Sequence, residues 1–227
     1  MKNKIKITGQ TQTIQTLTKK MSGRNRYAFV SFPKTALLAL SSPNNGVLTS
    51  DFVEQIQKSF SIQDSAYMRA IPSSFVYSAE KEEELDLSFL KDDSVFFNSS
   101  TLENYYHSNE IVFNSFIEFY IKNTPFIIVS FNDKKYISKL LSFPTAYIHV
   151  PYNNYENKLD EICTSIDKVK NESTMVVLDC PVLSSGLANK IWDRFDLSIL
   201  DLGKIISFSK TKSLDKVKFN DKKTYKN

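Results

Sequence analysis

Between Pro125 and Phe208, short apolar runs rich in β-branched residues alternate with segments of helical period. The runs FIIVS, AYIHV, TMVVLD and LSILDLG are continuously apolar, the mark of strands buried on both faces. The order strand–helix–strand predicts an α/β fold: a Rossmann-like, largely parallel sheet with helices on both faces. Upstream, the periodicity predicts a helix over Thr11–Met21, ended by Ser22-Gly23, and a strand over Tyr27–Phe32, closed by Pro33. Thr35–Leu40 reads as a helix start and SSPNNG as a loop. A helix capped by Ser50 or Asp51 runs through Phe60, with Phe52, Val53, Ile56 and Phe60 on one face, and Ala66–Ile71 is a further strand. The block AEKEEELDLSFLKDD is acidic and helix-prone, and Thr101–Lys122 reads as one helix with Tyr106, Val112, Phe113, Phe116, Ile117 and Tyr120 along it. The organisation expected is a basic lead and helix over 1–26, one α/β domain over 27–208, and a basic tail over 209–227.

Parallel sheets present their ligand sites at the carboxyl ends of the strands. Here those ends carry Ser130–Asp133, Pro151–Tyr155, Asp179–Pro181 and Asp201–Gly203. The carboxylates Asp133, Asp179 and Asp201 share that edge and suit a divalent cation or ribose hydroxyls; as common turn formers they equally suit helix caps and turn amides. Ser184-Ser185-Gly186 reads as the loop that opens the next helix, where free N–H groups suit a phosphate or an ordinary N-cap. Tyr152, Asn153, Asn154 and Tyr155 join amide hydrogen bonding to flat aromatic surface, a mix that fits a nucleobase or sugar and also a plain surface turn. His149 reads as a satisfied, buried or half-buried strand histidine rather than a catalytic base, and neither it nor His107 completes a nucleophilic triad. Glu84-Leu85-Asp86 resembles a metal-binding acidic triplet, although a solvated helix face accounts for it.

Composition narrows the chemistry. Only five glycines occur among 227 residues, and neither GxGxxG nor GxxxxGK[ST] is present, which argues against a dinucleotide or P-loop enzyme. Cys163 and Cys180 form no disulfide framework, and the two histidines give no metal spacing. No apolar leader or run of bilayer length is present, so the chain reads as soluble and cytoplasmic. The net charge of +4 is uneven: residues 1–26 carry +7, residues 204–227 carry +6, and the intervening body is −9. Basic ends on an acidic body read as solvated tails, and the acidic body argues against a continuous nucleic-acid groove.

The carboxyl half resembles the GT-D-fold glycosyltransferases, which transfer sugars from nucleotide-sugar donors. VPYNNYENKLDEI matches that family's proline- and asparagine-containing stretch, with Asn153 and Tyr155 at its asparagine and aromatic positions. VVLDCPVLSSGLANKI matches the following strand, turn and helix, with Pro181 and Leu187-Ala188 retained and Cys180 where glycine is usual. Asp201-Leu202-Gly203-Lys204 matches its Asp-x-Gly-His turn, with lysine in place of histidine. In the amino half, RYAFVSFPKTALLAL has the surroundings of the family's acidic motif, Arg-Phe-Gly-Asp-Gly-Glu. Ser31 falls at the arginine, Pro33 and Thr35 at the glycines, Lys34 at the aspartate and Ala36 at the glutamate, so the acidic motif is lost.

What the resemblance implies is a nucleotide-sugar donor lying along Ser130–Asp133, Tyr152–Tyr155, Cys180–Gly186 and Asp201–Lys204, with a glycan or protein as acceptor. Asp179, Asp201 and Lys34 are the catalytic candidates. Ser130, Asp133, Tyr152, Asn153, Tyr155, Pro181, Ser184, Ser185, Gly186, Gly203 and Lys204 are the donor-binding ones. The family's acidic motif implies Mn or Mg; with Lys34 in its place the diphosphate is neutralised directly and the site is metal-independent. The alternative is a pseudoenzyme, an inactive domain of the same fold serving as a structural or interaction module in a viral or cell-envelope assembly.

Overall fold

The strand residues alternate strictly between two hydrophobic clusters, which is what a sheet covered on both faces requires. Ala28, Val30, Ile127, Val129, Val176, Leu178 and Ile199 pack into one cluster; Phe29, Phe126, Ile128, Met175, Val177 and Leu200 pack into the other. The computed structural model describes residues 5–23, 25–43, 46–76, 89–90, 95–141 and 143–208. In chain order the elements are β1 (Lys6–Ile7), α1 (Gln10–Ser22), β2 (Ala28–Ser31), α2 (Lys34–Ser41), α3 (Ser50–Ser61), β3 (Tyr67–Ile71) and β4 (Val95–Asn98). There follow α4 (Thr101–Ser108), α5 (Glu110–Tyr120), β5 (Phe126–Ser130), α6 (Lys134–Leu141), β6 (Ala146–His149) and α7 (Leu159–Val169), the last entered through a 3-10 turn at Tyr155–Lys158. β7 (Met175–Asp179), α8 (Pro181–Arg194) and β8 (Ser198–Asp201) complete the set.

The strands form one sheet in the order β1-β4-β3-β2-β8-β7-β5-β6, and every pairing is parallel. The all-parallel sheet with helices on both faces is the architecture read from the sequence. One face is covered by α2, α3, α7 and α8, through Leu37, Phe52, Ile56, Leu159, Ile162, Leu183, Leu187 and Ile191. On the other lie α1, α4, α5 and α6, through Leu17, Leu102, Phe113, Phe116, Ile117 and Ile137. Gly186 sits in the α3–α8 contact, where a Cβ would stand 2.7 Å from the ring of the buried Phe52.

Three local readings change. Thr101–Lys122 is two helices: Asn109 leaves helical geometry (φ −143°, ψ 72°), and its side chain accepts the Val112 N–H at 3.2 Å as the N-cap of α5. The short strands β1, at one edge of the sheet, and β4, beside it, are not legible in the sequence, because two and four residues carry no period. The helix after Asp179 starts at Pro181 rather than in a Ser184–Gly186 loop. Proline fits the first helical position, where no N–H is needed, and the two serine hydroxyls bond back to Cys180 O (3.0 Å) and Val182 O (2.6 Å) inside the helix. Glu84-Leu85-Asp86, most of the acidic block, and the 209–227 tail lie outside the described residues. No helix among the described residues is long and apolar enough to cross a membrane.

Candidate active site at the carboxyl edge of the sheet

The strand order reverses twice near the centre of the sheet. From β2 the chain moves outward to β3, while β8 arrives on the other side of β2; β5 and β7 part in the same way. Ligands of parallel sheets bind above such reversals, at the carboxyl ends. Both reversals are closed by a buried aspartate.

Asp201 ends β8 and is 1% exposed. Its Oδ2 accepts the Ser31 N–H at the end of β2 (3.1 Å), and its Oδ1 accepts the Gly203 N–H (2.9 Å) in a turn where Gly203 takes a left-handed φ of 64°. Burial pushes this carboxyl up to about 7, helped by the nearby charge of Asp179 and opposed by the two N–H donors. Asp179 ends β7 and is equally buried. Its Oδ2 receives the Ser130 hydroxyl (2.5 Å) and the Asn132 amide (2.8 Å), while its Oδ1 has no hydrogen-bond partner among the described residues. Burial pushes it to about 7 as well, against those two donors. By strand alternation Asp179 continues the row of Met175 and Val177, whereas Asp201 continues that of Ile199, so the two carboxyls enter opposite faces and share no partner.

The remaining candidates divide by exposure. Ser130, Ser184, Ser185 and Gly186 are buried, the last three within the second turn of α8, and Pro181 is half-buried at its start. Lys34 and Lys204 are exposed, each three residues past one end of the Ser31–Asp201 bond, and neither has an ion pair among the described residues. Asp133 is exposed too, with Lys135 at 4.0 Å, and does not join the other aspartates. Asn153 is exposed beside Asn154, whose φ of 58° turns the chain after β6. That turn lays Tyr152, 64% exposed, on the face of Phe131 (centroids 4.6 Å apart, 25°) and sets Tyr155 edge-on to Phe131 and Phe52.

Asn132 is the member that sequence reasoning missed. Its N–H donates to Ser130 Oγ (2.8 Å), its amide also reaches Ser207 Oγ (3.1 Å), and its carbonyl accepts the Tyr147 hydroxyl (2.6 Å), which in turn meets His149 Nδ1 at 2.9 Å. His149 is exposed, not enclosed in the sheet. At the opposite, amino edge a cavity of about 470 Å³ is lined by Arg26, Tyr27, Ser173 and Met175 among others. Its groups are engaged internally, Tyr27 with Met175 Sδ (3.1 Å) and Arg26 with the carbonyls of Leu197 and Trp192.

The residues present do not fit a protein-held divalent cation. Both Asp201 oxygens hold backbone N–H groups, Asp179 offers a single free oxygen on the other face, and no group of three or more His, Cys, Asp or Glu among the described residues could hold a metal ion.

No protein-family model matches the sequence, and no curated protein is similar enough to match. Solved structures do. One, described as a new glycosyltransferase (DUF1792) from Streptococcus sanguinis, is 12% identical with a TM-score of 0.69 over 93% of this chain and 86% of that one. A selenomethionine-substituted structure of the same domain of unknown function 1792 is 12% identical, with a TM-score of 0.68 over 94% and 83%. A third, described as showing that this highly conserved domain has a distinct glycosyltransferase fold, is 14% identical, with a TM-score of 0.65 over 94% and 83%. The fold is therefore that glycosyltransferase fold, as the quoted segments led us to expect.

Proposed function

We propose that this chain binds a nucleotide sugar along the carboxyl edge of the sheet and transfers the sugar to a hydroxyl acceptor. The observation that carries the reading is the pair of exposed lysines, Lys34 and Lys204, flanking the β2–β8 crevice without an anionic partner among the described residues. Two ammonium groups at a strand reversal offer a diphosphate the charge that a cation would otherwise supply. The Phe131–Tyr152 stack, with Asn153 and Tyr155 beside it, presents a flat surface and amide groups to the sugar. Asp179 and Asp201 are buried at the ends of β7 and β8. Their role in this reading is to hold the strand ends in place: Asp201 ties β2 to β8, and Asp179 ties β7 to the β5 turn.

The test is thermal denaturation with UDP-glucose, UDP-N-acetylglucosamine, GDP-mannose and CDP-glucose. A donor at 100 times its Kd adds about 2.7 kcal/mol, or roughly 5–10 °C in Tm for a chain of this size. Lys34→Ala and Lys204→Ala each weaken donor affinity about 10- to 100-fold, the loss expected for a charge-assisted phosphate contact. EDTA leaves the donor shift in place. No shift with any donor, with or without Mn²⁺, would overturn the reading.

A second reading, an inactive binding or assembly module, is favoured by one observation: no carboxylate stands at the turn after β2, where Ser31, Pro33, Lys34 and Ala36 occupy the positions of the acidic motif. Donor-dependent stabilisation without release of nucleoside diphosphate would select it.

A further inference from the structure

We propose that the outer side of α5, with the ends of α1 and α6 beside it, docks on an anionic phospholipid surface. Lipid binding needs no donor and stands apart from the nucleotide-sugar reading. α5 is apolar nearly all round, a composition that suits a helix enclosed on every side. Phe113, Phe116 and Ile117 are buried against the sheet, but Ile111 is 81% exposed, Phe119 72%, and Val112 is exposed too. At 3.6 residues per turn, Ile111, Val112, Ser115 and Phe119 share an arc of about 100° on the solvent side. Phe143, 80% exposed, stands two residues past the end of α6. Four of the seven large apolar side chains exposed among the described residues are thus on α5 or just past α6, helices of one sheet face. Single exposed apolar residues are ordinary; a group of them on one side marks a contact surface.

Topology brings positive charge to the same place. A helix that joins parallel strands returns the chain to the amino edge, so the last turns of α1, α5 and α6 all lie there. Ser22 Oγ lies 3.4 Å from the Tyr120 hydroxyl, which joins α1 to α5. The Thr145 N–H donates to Phe126 O (2.8 Å), which joins the segments that follow α5 and α6. Lys19 and Lys20 end α1, Lys122 follows α5, and Lys139 lies in the last turn of α6. Lys122 is paired with Glu118 at 2.7 Å; Lys19, Lys20 and Lys139 have no ion pair among the described residues. The helix dipole accounts for lysines in a last turn, but not for Phe119 and Phe143 standing in water beside them.

The charge of the whole chain selects the occupant. Residues 1–26 carry +7 and residues 27–203 carry −9, so an anionic bilayer attracts the α1 side and repels the acidic body. A symmetric contact between two copies sets Lys19, Lys20 and Lys139 against their own counterparts. Rings on a convex helix with lysines at its rim suit a bilayer: the rings enter the headgroup boundary while the ammonium groups stay at the phosphates. The carboxyl edge, at the other ends of these helices, stays open to a donor.

The full chain is sedimented with phosphatidylcholine vesicles and with vesicles in which about a third of the lipid is phosphatidylglycerol. Binding is expected to the anionic vesicles alone, and it falls as salt rises from about 0.1 to 0.5 M. Phe119→Ser and Phe143→Ser each weaken it about 10-fold, and Lys19→Gln about 5-fold, with Tm unchanged because these side chains are exposed. Lys168→Gln, which removes the same charge from an exposed position of α7 on the opposite face, leaves binding as it was. Absence of binding overturns the proposal. Binding that both Phe variants leave intact, or an equal loss in Lys168→Gln, also overturns it and assigns the attraction to general charge. Self-association in the ultracentrifuge that Phe119→Ser abolishes, without vesicle binding, gives the face to a second copy instead.

Discussion

Asp179 and Asp201 are indistinguishable in sequence, each the last residue of an apolar strand, yet their surroundings separate them. Asp201 has both oxygens on backbone N–H groups; Asp179 has one oxygen with two donors and one with none. Both bind a proton more tightly in the folded chain, at about 7 against 3.8 unfolded. The stability they contribute is therefore full below about pH 4 and is lost as pH rises through about 7. Asp179→Asn removes one of the two terms while leaving an oxygen for Ser130 and Asn132. The expected outcome is that the wild-type advantage in Tm over Asp179→Asn is greater at pH 5 than at pH 7 and shrinks or reverses by pH 8. Parallel Tm curves from pH 5 to 8 would contradict the assignment. Asn132 was passed over in sequence in favour of Asp133, because charge attracts notice and an asparagine after a strand looks like any turn. Nothing local announces that its side chain points back at a residue 47 positions away.

At the scale of elements, the strands were legible and the helix starts less so. FIIVS, TMVVLD and LSILDLG contain β5, β7 and β8, since a strand buried on both faces leaves an apolar run; AYIHV contains β6, a half-buried strand at the edge of the sheet. In α8, Ser184-Ser185-Gly186 imitates a loop, and only Pro181 marks the true start. Gly186 is there because α3 lies too close for a side chain. Gly186→Ala drives a methyl group into Phe52, which is itself 1% exposed and has nowhere to retreat. A loss of about 1–3 kcal/mol follows, or roughly 2–10 °C in Tm, with the circular dichroism spectrum unchanged. A variant as stable as wild type would show that the α3–α8 spacing is looser than described.

At the scale of the molecule, the amino-terminal segment belongs to the folded body. Lys6–Ile7 pairs with β4, Thr8 and Thr13 join their hydroxyls at 2.7 Å, and Leu17 is fully buried against the face that carries Met68 and Phe113. Removing residues 1–22 uncovers that face and the edge of β4. The expected result is a Tm lowered by more than 10 °C, or loss of the cooperative transition, measured by calorimetry; an unchanged Tm would make the segment an appendage. The +7 of residues 1–26 gave no hint of this, because charge reports on the solvent side of a helix and Leu17 on the other.

The pairing of β2 with β8 has a consequence in time. These neighbours at the heart of the sheet are about 170 residues apart along the chain, as the Ser31–Asp201 bond records. On a ribosome, the strand made second must wait for the strand made last. Until Ser198–Asp201 emerges, β2 and β7 each present an open, largely apolar edge with no mate. Non-local closure of this kind is slow, and the waiting edges are templates for other chains. Synthesis halted before Ser198 should thus yield an aggregating chain, even though most of its helices and strands are already encoded.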